Sequence, residues 1–259
     1  MSKKTAEGKS DGPQFIYGRK NVNWQGPQQA SQNANLAGNR QDASQEFVTS
    51  TSLGEEGKFK FPRTPHISGS NATDDDIFAN FSKELIQTGQ FIATEKMDGS
   101  NITINKHGAY SRNGETPSAD WFYPARDLYY QIGHLIDDDI TIAGELLTWR
   151  KSIAYDNLPS QFMVFSVIEG NKVLSWDDVV EYAQLLDLEV VNTLAYGSYD
   201  EVIKKSKQHV QQQGNKMEGF VLRDQVAFEV TDYAEHVAKW VGEWHNPVAG
   251  NNGKNTFKN

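Results

Sequence analysis

Lys96-Met97-Asp98-Gly99 places a primary amine at the end of an apolar run and directly before a glycine-containing turn. A lysine attacks only as the free amine. Crowding by other cations, or partial desolvation, lowers its pKa toward that form. The same four residues are also what an ordinary surface lysine beside an Asp-Gly turn looks like, so the reading depends on what accompanies them. Downstream come Arg112 in a polar turn, Glu145 inside an apolar run, Phe165 in another, Glu218-Gly219 at the head of a third, and Lys239 in Val237-Ala238-Lys239-Trp240-Val241. Glu145 sits between Ile142-Ala143-Gly144 and Leu146-Leu147, where free solvation is denied and a carboxylate needs a partner.

The elements that must position these groups are legible as hydrophobic periodicity. Phe91–Glu95 alternates as a half-buried strand, and Ile102-Thr103-Ile104 resumes the alternation after the turn, so the pair is expected to form a β-hairpin with Lys96 at its mouth. Phe59–Ile67 carries two prolines and reads as extended; its Arg63 and His66 could touch a phosphate or simply belong to a packed lead-in strand. Asp74-Asp75-Asp76 is expected to start a helix, its acids complementing the dipole, with Ile77, Phe78, Phe81 and Leu85 on one face and Gly89 as its stop. Ala119 to Ile136 reads as helical, with Pro124 either in its first turn or breaking it. Ile140–Leu147 and Phe162–Ile168 read as strands. Ser175 with Asp178, and Ser198 with Glu201, read as capping boxes opening two helices, the second ended by Gly214. Gly219–Arg223 is a strand with which Val226–Val230 is expected to pair. Strands and helices mix without regular βα alternation, which indicates α+β with mainly antiparallel sheets flanked by helices.

The chain has 259 residues, with 34 acidic and 25 basic side chains and a net charge of −9. That balance argues against a passive nucleic-acid coat held by phosphate neutralisation, while leaving room for an enzyme with a local basic groove. The absence of cysteine excludes a disulfide framework and a thiolate metal site. No apolar run is long enough to span a bilayer, and Met1-Ser2-Lys3-Lys4 lacks an apolar signal segment, so no membrane and a cytoplasmic setting are expected. Twelve of the first fifty residues are Gln or Asn. Residues 1–55 therefore read as a disordered tail, 56–245 as the folded domain and 246–259 as a flexible C-terminal tail.

The ordered set from Lys96 to Lys239 resembles the covalent nucleotidyltransferase superfamily of ATP-dependent DNA and RNA ligases and mRNA-capping guanylyltransferases. The resemblance covers about Phe59 to Val241 and lies closest to small RNA ligases of phage and bacterial type. Glu95-Lys96-Met97-Asp98-Gly99-Ser100-Asn101 looks like their nucleophile motif and Lys216-Met217-Glu218-Gly219-Phe220-Val221-Leu222-Arg223 like their fourth motif. The resemblance implies an adenylation domain in which Lys96 attacks the α-phosphate of ATP to form lysyl-AMP, after which AMP passes to an RNA 5′-phosphate and a 3′-hydroxyl seals the strand. It implies that Glu218 binds Mg²⁺ or Mn²⁺, that Lys239 contacts the α-phosphate, and that Glu145 faces the nucleotide sugar or a metal-bound water. It further implies that Arg112 contacts ribose or the RNA 5′-phosphate, that Phe165 stacks on adenine, and that Glu95 reads the adenine edge. Asp98 and Gly99 shape the turn.

Residue types alone leave blander roles open: a solvated lysine for Lys239, a solvent-facing arginine for Arg112, core packing for Phe165. A DNA ligase, a GTP-using capping enzyme, and a non-catalytic nucleotide- or RNA-binding relative are the competing functions. The sequence departs from the resemblance at Val237, where many relatives carry the first lysine of a Lys-x-Lys pair. Little chain follows Trp244, so substrate delivery is expected to fall to the core itself, to the N-terminal tail or to a protein partner. Lys204, Lys205 and Lys207 could add phosphate contacts or form a solvated helix face.

Overall fold

In the computed structural model, residues 57–245 and Asn255 are described. The Gln/Asn-rich segment 1–55 lies outside the described residues, as does all of 246–259 except Asn255.

After the extended lead-in, helix α1 (Lys83–Thr88) is capped by Ser82, whose hydroxyl accepts from the Leu85 N–H, and ends at Gly89. Strand β1 (Phe91–Lys96) runs into β2 (Ser100–Asn105), β3 (Gly108–Ser111), helix α2 (Tyr123–Ile132) and strand β4 (Ile140–Leu146). Next come β5 (Phe162–Glu169), β6 (Lys172–Val173), helix α3 (Trp176–Leu185), β7 (Glu189–Val190), β8 (Thr193–Gly197) and helix α4 (Tyr199–Gln213). The described order closes with β9 (Gly219–Asp224), β10 (Phe228–Glu229), the single turn α5 (Tyr233–His236) and β11 (Val237–Val241).

Two sheets result. The smaller has the order β11-β9-β1-β8; the larger runs β10-β6-β5-β4-β2-β3, with β7 added beside β5. Every pairing is antiparallel except β5 with β7. The α+β reading of the sequence therefore holds. One core, including Ile102, Ile142, Phe162 and Trp176, lies where α2 and α3 cover the larger sheet. A second, including Phe91, Val202, Phe220 and Trp240, lies between the smaller sheet and α4. A third joins Phe61 of the lead-in to residues of both sheets: Ala143, Ile168 and Phe228 of the larger and Val237 of the smaller. Strand alternation explains the division. Phe220 and Leu222 of β9 pack toward α4, while Val221 meets the third core.

Several local expectations are corrected. β1 and β2 do not form a hairpin: β1 pairs with β8 and β9, β2 with β3 and β4. The Lys96–Ser100 turn carries the chain from one sheet to the other, and β1 lies between β8 and β9 inside the smaller sheet. No helix begins at Asp74. Thr73 and Asp76 close a local turn in which the Thr73 N–H and hydroxyl both donate to Asp76 Oδ2 at 2.9 Å. Residues 77–79 then bond across to His66, so Ile77 and Phe78 face solvent and Ser82 becomes the cap. Ser175 caps α3 as expected. The Ser198 side chain makes no cap bond on α4, and the Glu201 carboxylate, which a capping box would turn back to the Ser198 N–H, pairs instead with Lys205 one turn on, at 2.8 Å. Phe228-Glu229 pairs with β6 and not with β9.

Candidate active site

A cavity of about 780 Å³ opens between the two sheets. Its walls include Lys96, Asp98, Arg112, Glu145, Phe165, Glu218 and Lys239, as well as Glu95. The structure thus brings all the sequence-derived site residues to one cleft. The register explains the centre of it. On the strands either side of β9, Lys96 lies opposite Gly219, the residue that follows Glu218, and Lys239 lies opposite Val221, two residues further on.

Lys96 Nζ donates to Glu218 Oε2 at 2.7 Å. Burial alone would pull the Lys96 pKa down; the carboxylates of Glu218 and Glu145 outweigh it, and the pKa is raised. The lowered pKa expected from the sequence is therefore corrected: the counter-charges of Glu218 and Glu145 favour the ammonium form. Lys239 behaves the other way. Burial, then the Lys96 charge, lower its pKa.

Glu145 Oε1 accepts the Gly99 N–H at 3.0 Å. Burial drives its pKa up to about 7, against the pull of Lys96 and Lys151. Gly99 has no room for a side chain: a Cβ there would lie 2.5 Å from the Leu146 carbonyl and 2.9 Å from Glu145 Cγ. The close approach of turn and strand is what lets a backbone N–H reach the carboxylate.

Arg112 is exposed at the cleft wall, and partial desolvation, then Arg63, lower its pKa. The Phe165 ring stands edge-on to Phe61 at 5.4 Å between centroids, at the cavity wall. The Glu95 carboxylate takes a hydrogen bond from Asn192 Nδ2 at 2.8 Å, and burial raises its pKa. The helix-face lysines divide: Lys205 pairs with Glu201, and Lys207 lies 5.5 Å over the Trp240 ring.

Several residues at the site went unread in the sequence. Asp98 does more than shape its turn. Its Oδ2 accepts from the Ser152 N–H at 2.8 Å, the Ile153 N–H at 3.0 Å and the Ser152 hydroxyl, while its own N–H donates to the Tyr155 hydroxyl at 2.7 Å. Burial pushes its pKa up, but these donors prevail and hold it below the usual carboxylate value. Lys151 donates to the Gly99 carbonyl. His245 lies between Ser152 Oγ, 3.3 Å from Nδ1, and Glu218 Oε1, 3.4 Å from Nε2. Asn255 is buried against the same loop, its Nδ2 donating to the Leu147 carbonyl at 2.5 Å and its Oδ1 accepting from the Tyr155 N–H at 3.2 Å. None of these lies in a periodic element, and isolated loop residues carry no pattern to find them by. The buried Arg223 closes both the Gly219–Arg223 strand and the fourth motif, and the sequence gives it no role of its own. It donates to the Leu174 carbonyl at 2.6 Å, and burial brings its pKa down to about 10.

Asp98, Glu218 and His245 each offer a donor atom, all within 4.8 Å of one another. Two carboxylate oxygens so placed beside a cationic pocket suit Mg²⁺ or Mn²⁺, which bind through one or two carboxylates together with substrate phosphates.

Residues 89–241 match the family model described as RNA ligase. The chain belongs to the RNA ligase family. Solved structures similar to this RNA ligase family member include a putative ATP-dependent DNA ligase from Aquifex aeolicus, at 23% identity over 71% of this chain and 50% of that one, with a TM-score of 0.49. An archaeal ATP-dependent RNA ligase is 18% identical over 73% of this chain and 50% of that one, with a TM-score of 0.47. A Naegleria gruberi RNA ligase mutant with ATP and Mn is 16% identical over 71% of this chain and 62% of that one, with a TM-score of 0.43. The chain thus spans about half the length of the first two. No curated protein sequence matches it. Among the described residues, no helix is long and apolar enough to cross a membrane.

Proposed function

We propose that this protein is an ATP-dependent RNA ligase that works through lysyl-AMP, with Lys96 as the nucleophile. The observation that carries the reading is the placement of Lys96 Nζ inside a nucleotide-sized cleft, 2.7 Å from Glu218 and across β9 from Lys239. Membership of the RNA ligase family supports it.

In the first step the partly exposed Lys96 Nζ gives a proton to solvent water and its lone pair attacks the α-phosphorus of ATP. The bond to the bridging oxygen breaks, pyrophosphate leaves, and AMP stays on Nζ as a phosphoramidate. Lys239 holds the α-phosphate, where negative charge accumulates in the transition state. Bound at Asp98, Glu218 and His245, a divalent cation would offset phosphate charge and draw the Glu218 charge away from Lys96. Glu145, fixed by the Gly99 N–H, faces the sugar; Phe165 stacks on adenine; Arg112 meets ribose or the incoming 5′-phosphate with its planar fork. AMP then passes from Lys96 to the RNA 5′-phosphate, and a 3′-hydroxyl displaces it to seal the strand.

The test is sealing of a 5′-phosphorylated RNA end to a 3′-hydroxyl end with ATP and Mg²⁺. Sealed RNA, absent with GTP, is expected. Sealing of nicked DNA alone, or labelling by GTP alone, would replace the RNA ligase reading with a DNA ligase or a capping enzyme.

A further inference from the structure

The loop that joins β4 to β5 lines the cleft with Lys151 and Ser152, and the turn that follows Lys96 rests on it. Lys151 donates to the Gly99 carbonyl. The Ser152 and Ile153 N–H groups donate to Asp98 Oδ2, and the Asp98 N–H donates to the Tyr155 hydroxyl. Strand β1 ends at Lys96, so the backbone beyond the nucleophile is held by these bonds and not by a ladder. None of the steps above names a group that holds the loop itself.

The loop is anchored in two ways. Ile153, Tyr155 and Leu158 are buried in the first core. At the loop's base, one side chain joins its two arms. Asn255 Nδ2 donates to the Leu147 carbonyl at 2.5 Å, and Asn255 Oδ1 accepts the Tyr155 N–H at 3.2 Å. The Asn255 N–H adds a bond to the Thr148 carbonyl at 3.3 Å. An amide suits this place because it donates from one end and accepts at the other. Leu147, Tyr155 and Asn255 are all buried, so loss of the amide strands a carbonyl and an N–H away from water.

A loop loosened at its base carries the disturbance to Asp98, two positions after Lys96, and so to the path of the nucleophile. The nucleotide itself is met mainly from other elements: Phe165 on β5, Arg112 just after β3 and Lys239 on β11. Disturbing the loop therefore acts on the chemical step more than on affinity for ATP.

We propose that Asn255 is a positioning residue for adenylylation: its amide clasps the base of the 147–155 loop, and the loop sets the Lys96–Gly99 turn. Asn255 lies beyond residues 89–241, which match the RNA ligase family, so it belongs to this chain's own way of completing the site. The inference rests on the reading of Lys96 as the nucleophile and deepens it.

Two measurements on the full chain test the clasp: hydrogen exchange read by peptide mass spectrometry, and single-turnover labelling by ATP carrying label at the α-phosphate. Asn255→Ala should speed exchange by about three- to tenfold in peptides covering 147–155 and also in those covering 96–101, leaving β9 and β11 unchanged. The rate constant of adenylylation should fall by a similar factor, while the ATP concentration for half-maximal rate stays within about twofold. A side chain that served only the fold would lower the fraction of chains labelled and leave the rate constant of the rest as it was. Asn255→Asp keeps the shape and the Tyr155 bond but turns an oxygen on the Leu147 carbonyl. It should show the same pattern, and it carries the comparison if Asn255→Ala does not fold. Faster exchange confined to 147–155, uniform acceleration that includes β9 and β11, or an unchanged rate constant in the folded variant overturns the proposal. The two readings fail separately. Faster exchange in both segments, with no covalent label on the unsubstituted chain, would keep the clasp on the turn and remove the ligase; normal labelling with exchange at 96–101 unchanged would remove the clasp alone.

Discussion

Lys96 and Glu218 form a 2.7 Å ion pair at the end of two adjacent antiparallel strands, where the register sets Lys96 opposite Gly219. The pair favours the protonated form of Lys96, in which the amine has no free lone pair. Lys96 should therefore titrate above the ordinary lysine value in the metal-free protein, and in Glu218→Gln its pKa should fall, because the desolvation remains while the main counter-charge is gone. The pH dependence of Lys96 labelling by an amine-reactive reagent, read by peptide mass spectrometry, measures this. An unchanged profile in Glu218→Gln would show that the pair does not set the charge state. By linkage, the stabilisation from this raised pKa is complete below the ordinary lysine value and is lost only as pH rises through the folded-state value.

Glu145 should make stability fall as pH rises. Its pKa in the folded protein is about 7, above the ordinary value of 4.5, so between these values the folded state binds more protons than the unfolded chain. Glu145→Gln, which keeps an oxygen for the Gly99 N–H, removes that dependence. The stability of Glu145→Gln relative to the unsubstituted protein should rise from pH 4.5 to pH 8 by roughly 1–2 kcal/mol, discounted from the full linkage value because the carboxylate is partly open to water. Urea unfolding at several pH values checks this; a pH-independent difference would contradict it.

Asp98 should matter to the 152–155 loop as much as to the cleft. Asp98→Ala strands two backbone N–H groups and the Ser152 hydroxyl. It should cost about 2–3 kcal/mol in urea unfolding and abolish adenylylation, while Ser152→Ala, which removes one of the three donors, should cost about 1 kcal/mol or less. Equal costs for the two would show that the Ser152 hydroxyl, and not the Asp98 carboxylate as a whole, organises the loop.

How much the sequence disclosed follows from where each residue sits. Lys96, Glu218 and Lys239 lie in or beside strands whose alternation is visible, and their pairing across β9 follows from strand register. Glu145 was marked by a lone carboxylate in an apolar run. The β1–β2 turn was misread because hydrophobic alternation shows that two strands exist and not which sheet each joins. Asp76 was taken for a helix start because consecutive acids suit a helix N-terminus; its partners Arg63, His66 and Lys239 are distant in sequence or on the far side of a turn. Ser152, His245 and Asn255 act from loops, where there is no period to read.

Gly219 should tolerate no side chain. A Cβ there would lie 1.9 Å from the Trp240 carbonyl, and backbone cannot yield as a flexible side chain can. Gly219→Ala must part β9 from β11 and shift Lys239 relative to Glu218. It should destabilise by about 2–3 kcal/mol and slow adenylylation; native-like thermal stability with full activity would contradict the register described here.

Incubation of the full chain with ATP labelled at the α-phosphate, in the presence of Mg²⁺ or Mn²⁺, addresses the nucleophile itself. The expected result is an acid-labile covalent label that maps to Lys96 and is absent from Lys96→Ala. A Lys96→Ala protein that takes up label like the unsubstituted chain, or a folded unsubstituted chain that takes none with either metal, would contradict the assignment of Lys96 as the AMP carrier.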